Sequence, residues 1–294
     1  MNIIMSMTWK ELLRKRVMLL TLIMTVVFLV GFWFVARAIG GDASLQGMDP
    51  NSIEHLMIRF SNGAIILTLG FFFGAFVIAF LAIFSSFSAL AGEAEQGVLQ
   101  ALLPRPLPRW KWYLGRWLGY VTLGIGYALL LFIAILFIAE ANAAIPRDTM
   151  ALVKSFLLFS SVVPMLITVS MLGSGFLSAI GNGVFMTMLY GAGWLGGMID
   201  NLSYSMPLAP KAMNSLQNMT GIISMLLPAD GLQRRMMVEL FSVNEILGMN
   251  PLNDSPFGIS DLSSIPSNAF VAYAALYTAA VFLIGVLRFQ RKDL

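Results

Sequence analysis

The sequence contains no cysteine and only one histidine, His55, among its 294 residues. Disulfide bonds, thiolate nucleophiles and Cys/His metal sites are therefore excluded, and a Ser-His catalytic pair within the apolar segments has no histidine to use. No Gly-x4-Gly-Lys-Ser/Thr segment occurs, so the chain lacks a P-loop for a nucleoside triphosphate. These absences predict a protein that has no catalytic residue, no metal ligands and no bound cofactor of its own.

Charged residues are also scarce. They make up 11% of the chain, against about 25% in a typical soluble domain, whereas 58% of the residues are hydrophobic and the mean hydropathy is +0.82. This composition predicts an integral membrane protein, a single transmembrane domain over residues 1–294, with the lipid bilayer around it and no room for a soluble catalytic domain. We attribute the small net charge of +3 to membrane orientation and not to nucleic-acid binding.

Long uncharged stretches predict an all-α fold with six transmembrane helices. The fourth and fifth of them share one uncharged run between Lys154 and Asp200, which is about twice the length of a single span. The glycines of the Gly181-Asn182-Gly183 sequence supply the backbone freedom for a tight turn between them. The predicted spans are 17–36, 63–90, 117–139, 155–179, 183–199 and 267–287.

The basic N-terminal segment followed by an apolar stretch also resembles a cleaved signal peptide. The apolar core of such a peptide is usually only about 7–15 residues long, and the uncharged stretch here is longer, so we favour an uncleaved first span. Before it, residues 5–13 are predicted to form an amphipathic helix on the inner membrane surface.

Basic residues predict the orientation. Clusters at 10–16, 105–116 and 288–292 flank the same face of the predicted bundle. The positive-inside rule therefore places the N-terminus, the C-terminus and the 91–116 loop in the cytoplasm. If the 155–199 run crossed the membrane only once, the basic C-terminal tail would lie outside, which disfavours five spans.

The 200–266 segment is then external. Residues 212–227 are amphipathic and moderately apolar, and residues 231–245 have helical spacing and a charged face that is too polar to span. We predict short helices that dip into the outer leaflet. A loose outer domain is the alternative.

Glycines four residues apart predict close helix packing within the membrane. The pairs are Gly70/Gly74, Gly115/Gly119 and Gly193/Gly197. The last pair overlaps a Gly-x-Gly-x-x-Gly pattern, but that pattern binds dinucleotides only between a strand and a helix, and here it lies in an apolar span. The predicted spans also contain no charged residue, which disfavours an ion-coupled carrier.

The loop after the second predicted span has the most informative sequence, EAEQGVLQALLPRPLPRWKWYLGRWLG over 93–119. Glu93 and Glu95 open a short amphipathic helix, alternating prolines follow it, and a basic aromatic segment enters the third span. Carboxylates near a helix N-terminus stabilise the helix dipole and can meet basic side chains of a partner, and the prolines stiffen the link. This pattern indicates a loop that receives force from a cytoplasmic partner.

The segments 91–109 and 113–119 resemble the permease subunits of ABC-2 type ABC transporters. That family often shows E-x-E-x-G-T/V-L-x-x-L-L, then S/P-R-P, then L-G-K/R-x-L/W-G at the entry to the third span. The present chain matches most of this pattern, with Pro104 where serine is frequent. The 226–230 segment, LLPAD, is also similar to the segment before the last span in many members.

The resemblance implies the ABC-2 (type V exporter-like) permease architecture, half of an ATP-driven exporter in a bacterial plasma (inner) membrane. Two multi-pass subunits, as a homodimer or a heterodimer, would each rest on a separate ABC ATP-binding subunit that holds ATP and Mg²⁺. The 93–103 helix would be the coupling helix in the 91–116 loop. The implied coupling residues are Glu93, Glu95, Gly97, Leu99, Leu102, Leu103, Arg105, Pro106 and Arg109.

Two other functions stay open. A non-transporting membrane scaffold would use the same loop to recruit a cytoplasmic protein, and an ion-coupled carrier would transport without any ATPase. The apolar spans would suit lipids, hydrophobic drugs or peptides as substrates, and the sequence does not choose among them.

Overall fold

The computed structural model describes residues 2–41, 49, 52–92, 108–205, 210–241 and 266–291. Regular secondary structure within these ranges is entirely helical, with nine helices in chain order. They are α1 (Asn2–Arg14), α2 (Arg16–Gly40), α3 (Ile53–Ser86), α4 (Arg109–Asn142), α5 (Thr149–Gly173), α6 (Ala179–Ser205), α7 (Pro210–Leu226), α8 (Ala229–Leu240) and α9 (Asn268–Arg291).

Among the described residues, five helices are long and apolar enough to cross a membrane: α2, α3, α4, α5 and α9. The predicted spans 17–36 and 117–139 lie within α2 and α4, and the span predicted at 267–287 begins one residue before α9. The second span, predicted at 63–90, corresponds to α3, which begins earlier and ends at Ser86. The fifth predicted span lies within α6, which is long enough at 27 residues but is not one of the five apolar helices.

The turn between α5 and α6 lies at residues 174–178, and the predicted turn at Gly181-Asn182-Gly183 needs correction. Those residues belong to the first turns of α6. The Asn182 Nδ2 group donates hydrogen bonds to the backbone carbonyls of Phe87 (2.7 Å) and Ser170 (2.8 Å), next to the ends of α3 and α5. A Cβ on Gly183 would lie 3.0 Å from the Phe87 ring. This sequence therefore serves close packing between helices instead of chain reversal.

Helix α3 lies at the centre of the bundle, against α2, α4 and α5. Phe71 is fully buried between Phe132 of α4 and Phe159 of α5, at ring-centroid distances of 5.0 and 5.3 Å. One residue before and three residues after Phe71, Gly70 and Gly74 make room for neighbouring side chains, and a Cβ on Gly74 would lie 2.9 Å from Ile135. The glycine pair thus lets the side chains of adjacent helices reach the α3 backbone.

The short helices α7 and α8 overlap the two predicted amphipathic stretches, and residues 242–245 of the second stretch lie outside the described residues. Helix α8 packs inside the bundle, with Leu232, Met236 and Leu240 almost fully buried. The Gln233 Nε2 group donates to the Phe71 carbonyl (3.2 Å), and the Ser155 hydroxyl of α5 donates to the Met236 carbonyl (3.3 Å). These bonds place a charged helix against the membrane-spanning helices.

Candidate coupling site

Most of the predicted coupling residues lie outside the described residues: Glu93, Glu95, Gly97, Leu99, Leu102, Leu103, Arg105 and Pro106. Their roles stay predictions. Arg109 is described, as the first residue of α4. The structure also describes both ends of the 91–116 loop, where residues 91–92 enter it and Pro108 leads into α4. We refer to these two ends and the side chains that hold them as the loop base.

The entry to the loop is attached to the turn between α5 and α6. The Ser174 hydroxyl oxygen accepts hydrogen bonds from the backbone N–H groups of Leu90 (3.0 Å) and Ala91 (2.9 Å). Ser174 is 2% exposed, so these bonds are shielded from water. The Asn182 bond to the Phe87 carbonyl lies beside them. Two buried polar side chains therefore connect the chain before Glu93 to the start of α6.

The exit from the loop is attached to the end of α9. Arg109 donates a hydrogen bond from Nη1 to the backbone carbonyl of Gln290 (3.2 Å). One turn further along α4, the Trp112 ring stacks on Phe289 with 5.3 Å between ring centroids and an interplanar angle of 23°. The first turn of α4 and the last turn of α9 thus form one contact.

Helix α1 packs along the start of α4 at Gly115 and Gly119. A Cβ on Gly115 would lie 2.9 Å from the Ile4 Cβ, and a Cβ on Gly119 would lie 2.7 Å from the Thr8 Cβ. The Trp9 indole N–H donates to the Gly119 carbonyl (3.1 Å). This glycine pair leaves room for the amphipathic N-terminal helix, so α1 packs closely against α4.

A partly buried ion pair joins the same two helices. Arg116 is only 7% exposed, and its Nη1 group forms an ion pair with Glu11 and lies 3.4 Å from the Thr8 hydroxyl. Its guanidinium group also lies over the Trp112 ring, 5.5 Å from the centroid. Arg116 directly precedes the predicted span 117–139, which contains no charged residue, but the observed helix α4 includes Arg116 and buries it against α1.

The ion pair sets the charge state of Glu11. Burial acts to raise the pKa of this carboxyl, but hydrogen bonds and charge attraction from Arg116 and Lys15 outweigh burial and hold the pKa below its ordinary value. Glu11 is therefore ionised at neutral pH and balances the charge of Arg116.

Sequence reasoning missed Ser174 and Glu11 as parts of the loop base. Glu11 carried a signal, because it is the only acidic residue among the first 41 and lies within a run of basic ones. Ser174 carried none, since its bond to Ala91 joins residues 83 positions apart and serine is common in membrane helices.

The geometry of the loop base favours mechanical coupling. A displacement of the 91–116 loop would reach α5 and α6 through Ser174 and Asn182, and would reach α1 and α9 through the start of α4. Within the described ranges, no three His, Asp or Glu side chains come together as metal ligands would.

The five long apolar helices among the described residues define a multi-pass membrane protein. Over residues 4–294 the sequence matches the family described as ABC-2 family transporter protein. The chain belongs to this family, which confirms the resemblance of the 91–119 segment and gives the protein a permease role. A comparison with curated proteins found no match.

Proposed function

We propose that the chain is the permease subunit of an ATP-driven exporter, coupled to a separately encoded ATP-binding subunit through the 93–103 helix. The observation that carries this proposal is the two-sided attachment of the loop base, to the α5–α6 turn by Ser174 and to α1 and α9 by Arg116 and Arg109. Permeases of the ABC-2 family are membrane proteins that generally work with an ATP-binding subunit. That subunit would hold ATP and Mg²⁺.

The two attachments suggest how force would spread. Closure of the ATP-binding subunits would move the 93–103 helix. Because Leu90 and Ala91 are bonded to Ser174, the entry end would pull or push the α5–α6 turn. The exit end would turn α4, which carries α1 with it through the buried contact at Gly119. The membrane helices would then tilt as pairs.

The proposed arrangement has six spans, with α6 as the fifth, and both termini in the cytoplasm of a bacterium with the chain in its plasma (inner) membrane. The basic clusters at 10–16, 105–116 and 288–292 support this orientation by the positive-inside rule. A second permease subunit, identical or related, would complete the transporter.

An aromatic stripe along α3 supports a substrate path between α3 and α6. From Phe72 onward, every third or fourth residue on one face is a half-buried phenylalanine. The Phe76 ring contacts two aromatic rings of α6, those of Tyr190 and Trp194, at centroid distances of 5.8 and 5.1 Å. Such a surface would suit an apolar or aromatic substrate. The stripe consists of Phe72, Phe76, Phe80 and Phe84, and of Phe87, which directly follows the helix.

The proposal is tested by reconstituting the chain with its co-purified ATPase in liposomes and measuring ATP hydrolysis. We expect the wild-type permease to change the rate of the ATPase and the Glu93→Lys/Glu95→Lys variant to lose this effect while still inserting. A Glu54→Lys/Glu140→Lys variant is the matched control, because both side chains are exposed at ends of helices away from the loop base. An unchanged rate with the wild type would favour a scaffold, and transport without any ATPase would favour a carrier.

A further inference from the structure

An open groove lies between the α5–α6 turn and the last turns of α9. Its volume is about 540 Å³. Three of its side chains are apolar and two are arginines. It is lined by Phe176, Ile284, Leu287, Arg288 and Arg291.

The α9 side of the groove changes from apolar to basic along one helical face. Ile284, Leu287, Arg288 and Arg291 follow a spacing of three, one and three residues, which places them side by side on the helix surface. Ile284 and Leu287 are exposed within the apolar part of α9, and the arginines follow at its end. An acyl chain and a headgroup present the same sequence of apolar and polar surface.

Phe176 holds one of the arginines in place. The Arg288 guanidinium carbon lies 3.2 Å from the centroid of the Phe176 ring. This cation–π contact attracts the guanidinium group to the ring and restricts its motion before any ligand arrives. Among the residues that the structure describes, no carboxylate forms an ion pair with Arg288 or Arg291.

We propose that this groove binds an anionic phospholipid. The lipid phosphate accepts hydrogen bonds from Arg288 and Arg291, and one acyl chain lies along Ile284 and Leu287. Basic pockets between membrane helices near the interface bind acidic lipid headgroups, and arginine suits phosphate because its donors form a fork. The exposed apolar wall favours a lipid over a soluble phosphate, because a soluble phosphate has no acyl chain to cover Ile284 and Leu287.

The lipid site lies beside the loop base without being part of it. Phe176 follows Ser174 by two residues, and Arg288 precedes the Gln290 carbonyl that accepts from Arg109. The site does not require an ATP-binding partner, so the binding test can be done on the isolated full-length chain.

The test is native mass spectrometry of the detergent-solubilised full-length chain, titrated with phosphatidylglycerol or with phosphatidylcholine. We expect one phosphatidylglycerol to be retained preferentially by the wild type. Each arginine removed, in Arg288→Gln and Arg291→Gln, lowers its retention about fivefold. Arg288→Lys keeps the charge but loses the guanidinium group and its fork of donors, and Phe176→Leu loses the ring, so both give an intermediate loss. Arg14→Gln is the matched control, since Arg14 is an exposed arginine at the end of α1.

Three results would overturn the lipid site. The first is equal retention by the wild type and the Arg288→Gln/Arg291→Gln variant. The second is an equal loss in Arg14→Gln, which would reduce the effect to general surface charge. The third is displacement of the lipid by soluble glycerol 3-phosphate, which would make the ligand a free phosphate. Size-exclusion profiles check that each variant is folded. If the Arg288→Gln/Arg291→Gln variant does not fold, the conservative Arg288→Lys and Phe176→Leu variants provide the test instead.

Discussion

The Ser174 hydroxyl accepts a 2.9 Å hydrogen bond from the backbone N–H of Ala91, two residues before the first predicted coupling residue, Glu93. The bond joins the entry of the 91–116 loop to the turn between α5 and α6. The same hydroxyl oxygen accepts from Leu90. A displacement of Leu90 or Ala91 would therefore act directly on the turn that leads into α6.

Replacement of Ser174 by alanine should destabilise the protein. It leaves two buried backbone N–H groups without their acceptor, and an unsatisfied buried donor costs about 1–3 kcal/mol. We expect a clear fall in the melting temperature of the full-length chain in detergent. Size-exclusion chromatography after heating measures this temperature. Ser161→Ala is the control, because the Ser161 hydroxyl bonds only the Leu158 carbonyl of its own helix. Equal melting temperatures for the two variants would contradict the role of Ser174.

Replacement of Gly119 by alanine should displace α1. The added Cβ would lie 2.7 Å from the Thr8 Cβ, and overpacking of this kind costs about 1–3 kcal/mol. Since the chain has no native cysteine, docking can be followed by maleimide labelling of Thr8→Cys, a position that is fully buried. We expect faster labelling when Gly119→Ala is added.

Gly126→Ala is the matched control for α1 docking, because it makes the same change in the same helix and no heavy atom lies within 4 Å of its Cβ position. It should leave the labelling of Thr8→Cys slow. If both alanine variants label at the wild-type rate, α1 does not depend on the close approach at Gly119.

The contribution of Glu11 should depend on pH. Arg116 and Lys15 hold the pKa of this carboxyl below its ordinary value of 4.5. A group with a lowered folded-state pKa contributes stability that is fully present above its unfolded value and is lost as the pH falls through the folded value. The difference in melting temperature between the wild type and Glu11→Gln should therefore be constant from neutral pH to about 5 and shrink below that.

Subtracting the two melting curves removes the effect of the other carboxylates, which titrate in both proteins. A difference that stays constant down to pH 3, or that grows on acidification, would show that Glu11 is not stabilised as an anion by Arg116. The exchanged pair Glu11→Arg/Arg116→Glu should recover part of the stability that Arg116→Glu alone loses, because the two charges again meet with opposite sign.

Single cysteines also test the proposed six-span arrangement. In intact cells, a membrane-impermeant maleimide should label Arg147→Cys and Asn218→Cys, which are exposed positions. Ser178→Cys and Gln290→Cys should label only after permeabilisation. If Ser178→Cys and Asn218→Cys label from the same side, α6 does not cross the membrane and the chain has five spans.

The long helices could be located from the sequence, because an uncharged apolar stretch long enough to cross a bilayer marks the position of each one. The predicted spans 17–36 and 117–139 lie inside observed helices, and the span predicted at 267–287 begins one residue before α9. The α5–α6 turn could not be located from the sequence, because its position depends on hydrogen bonds from Asn182 to Phe87 and Ser170. These residues lie 95 and 12 positions earlier in the chain. Local glycine content favoured a turn where packing required a helix.

The loop base could be predicted only in part. The acidic and proline-rich loop pattern predicted a coupling element, and Gly115/Gly119 predicted a close helix contact, but the partner of that contact was not evident. The partner is helix α1, whose small Thr8 side chain lies against Gly119. The burial of Arg116 was also missed, because a charge at the edge of an apolar stretch normally marks the membrane surface.

The most direct test of the account is to purify the detergent-solubilised chain from its native membrane and identify its partners by mass spectrometry. The account predicts a Walker-type ATPase that is recovered with the wild type and with Glu54→Lys/Glu140→Lys, and lost with Glu93→Lys/Glu95→Lys. Recovery of the chain alone, of a soluble partner without ATPase motifs, or of the same ATPase with all three proteins would contradict coupling through the 93–103 helix.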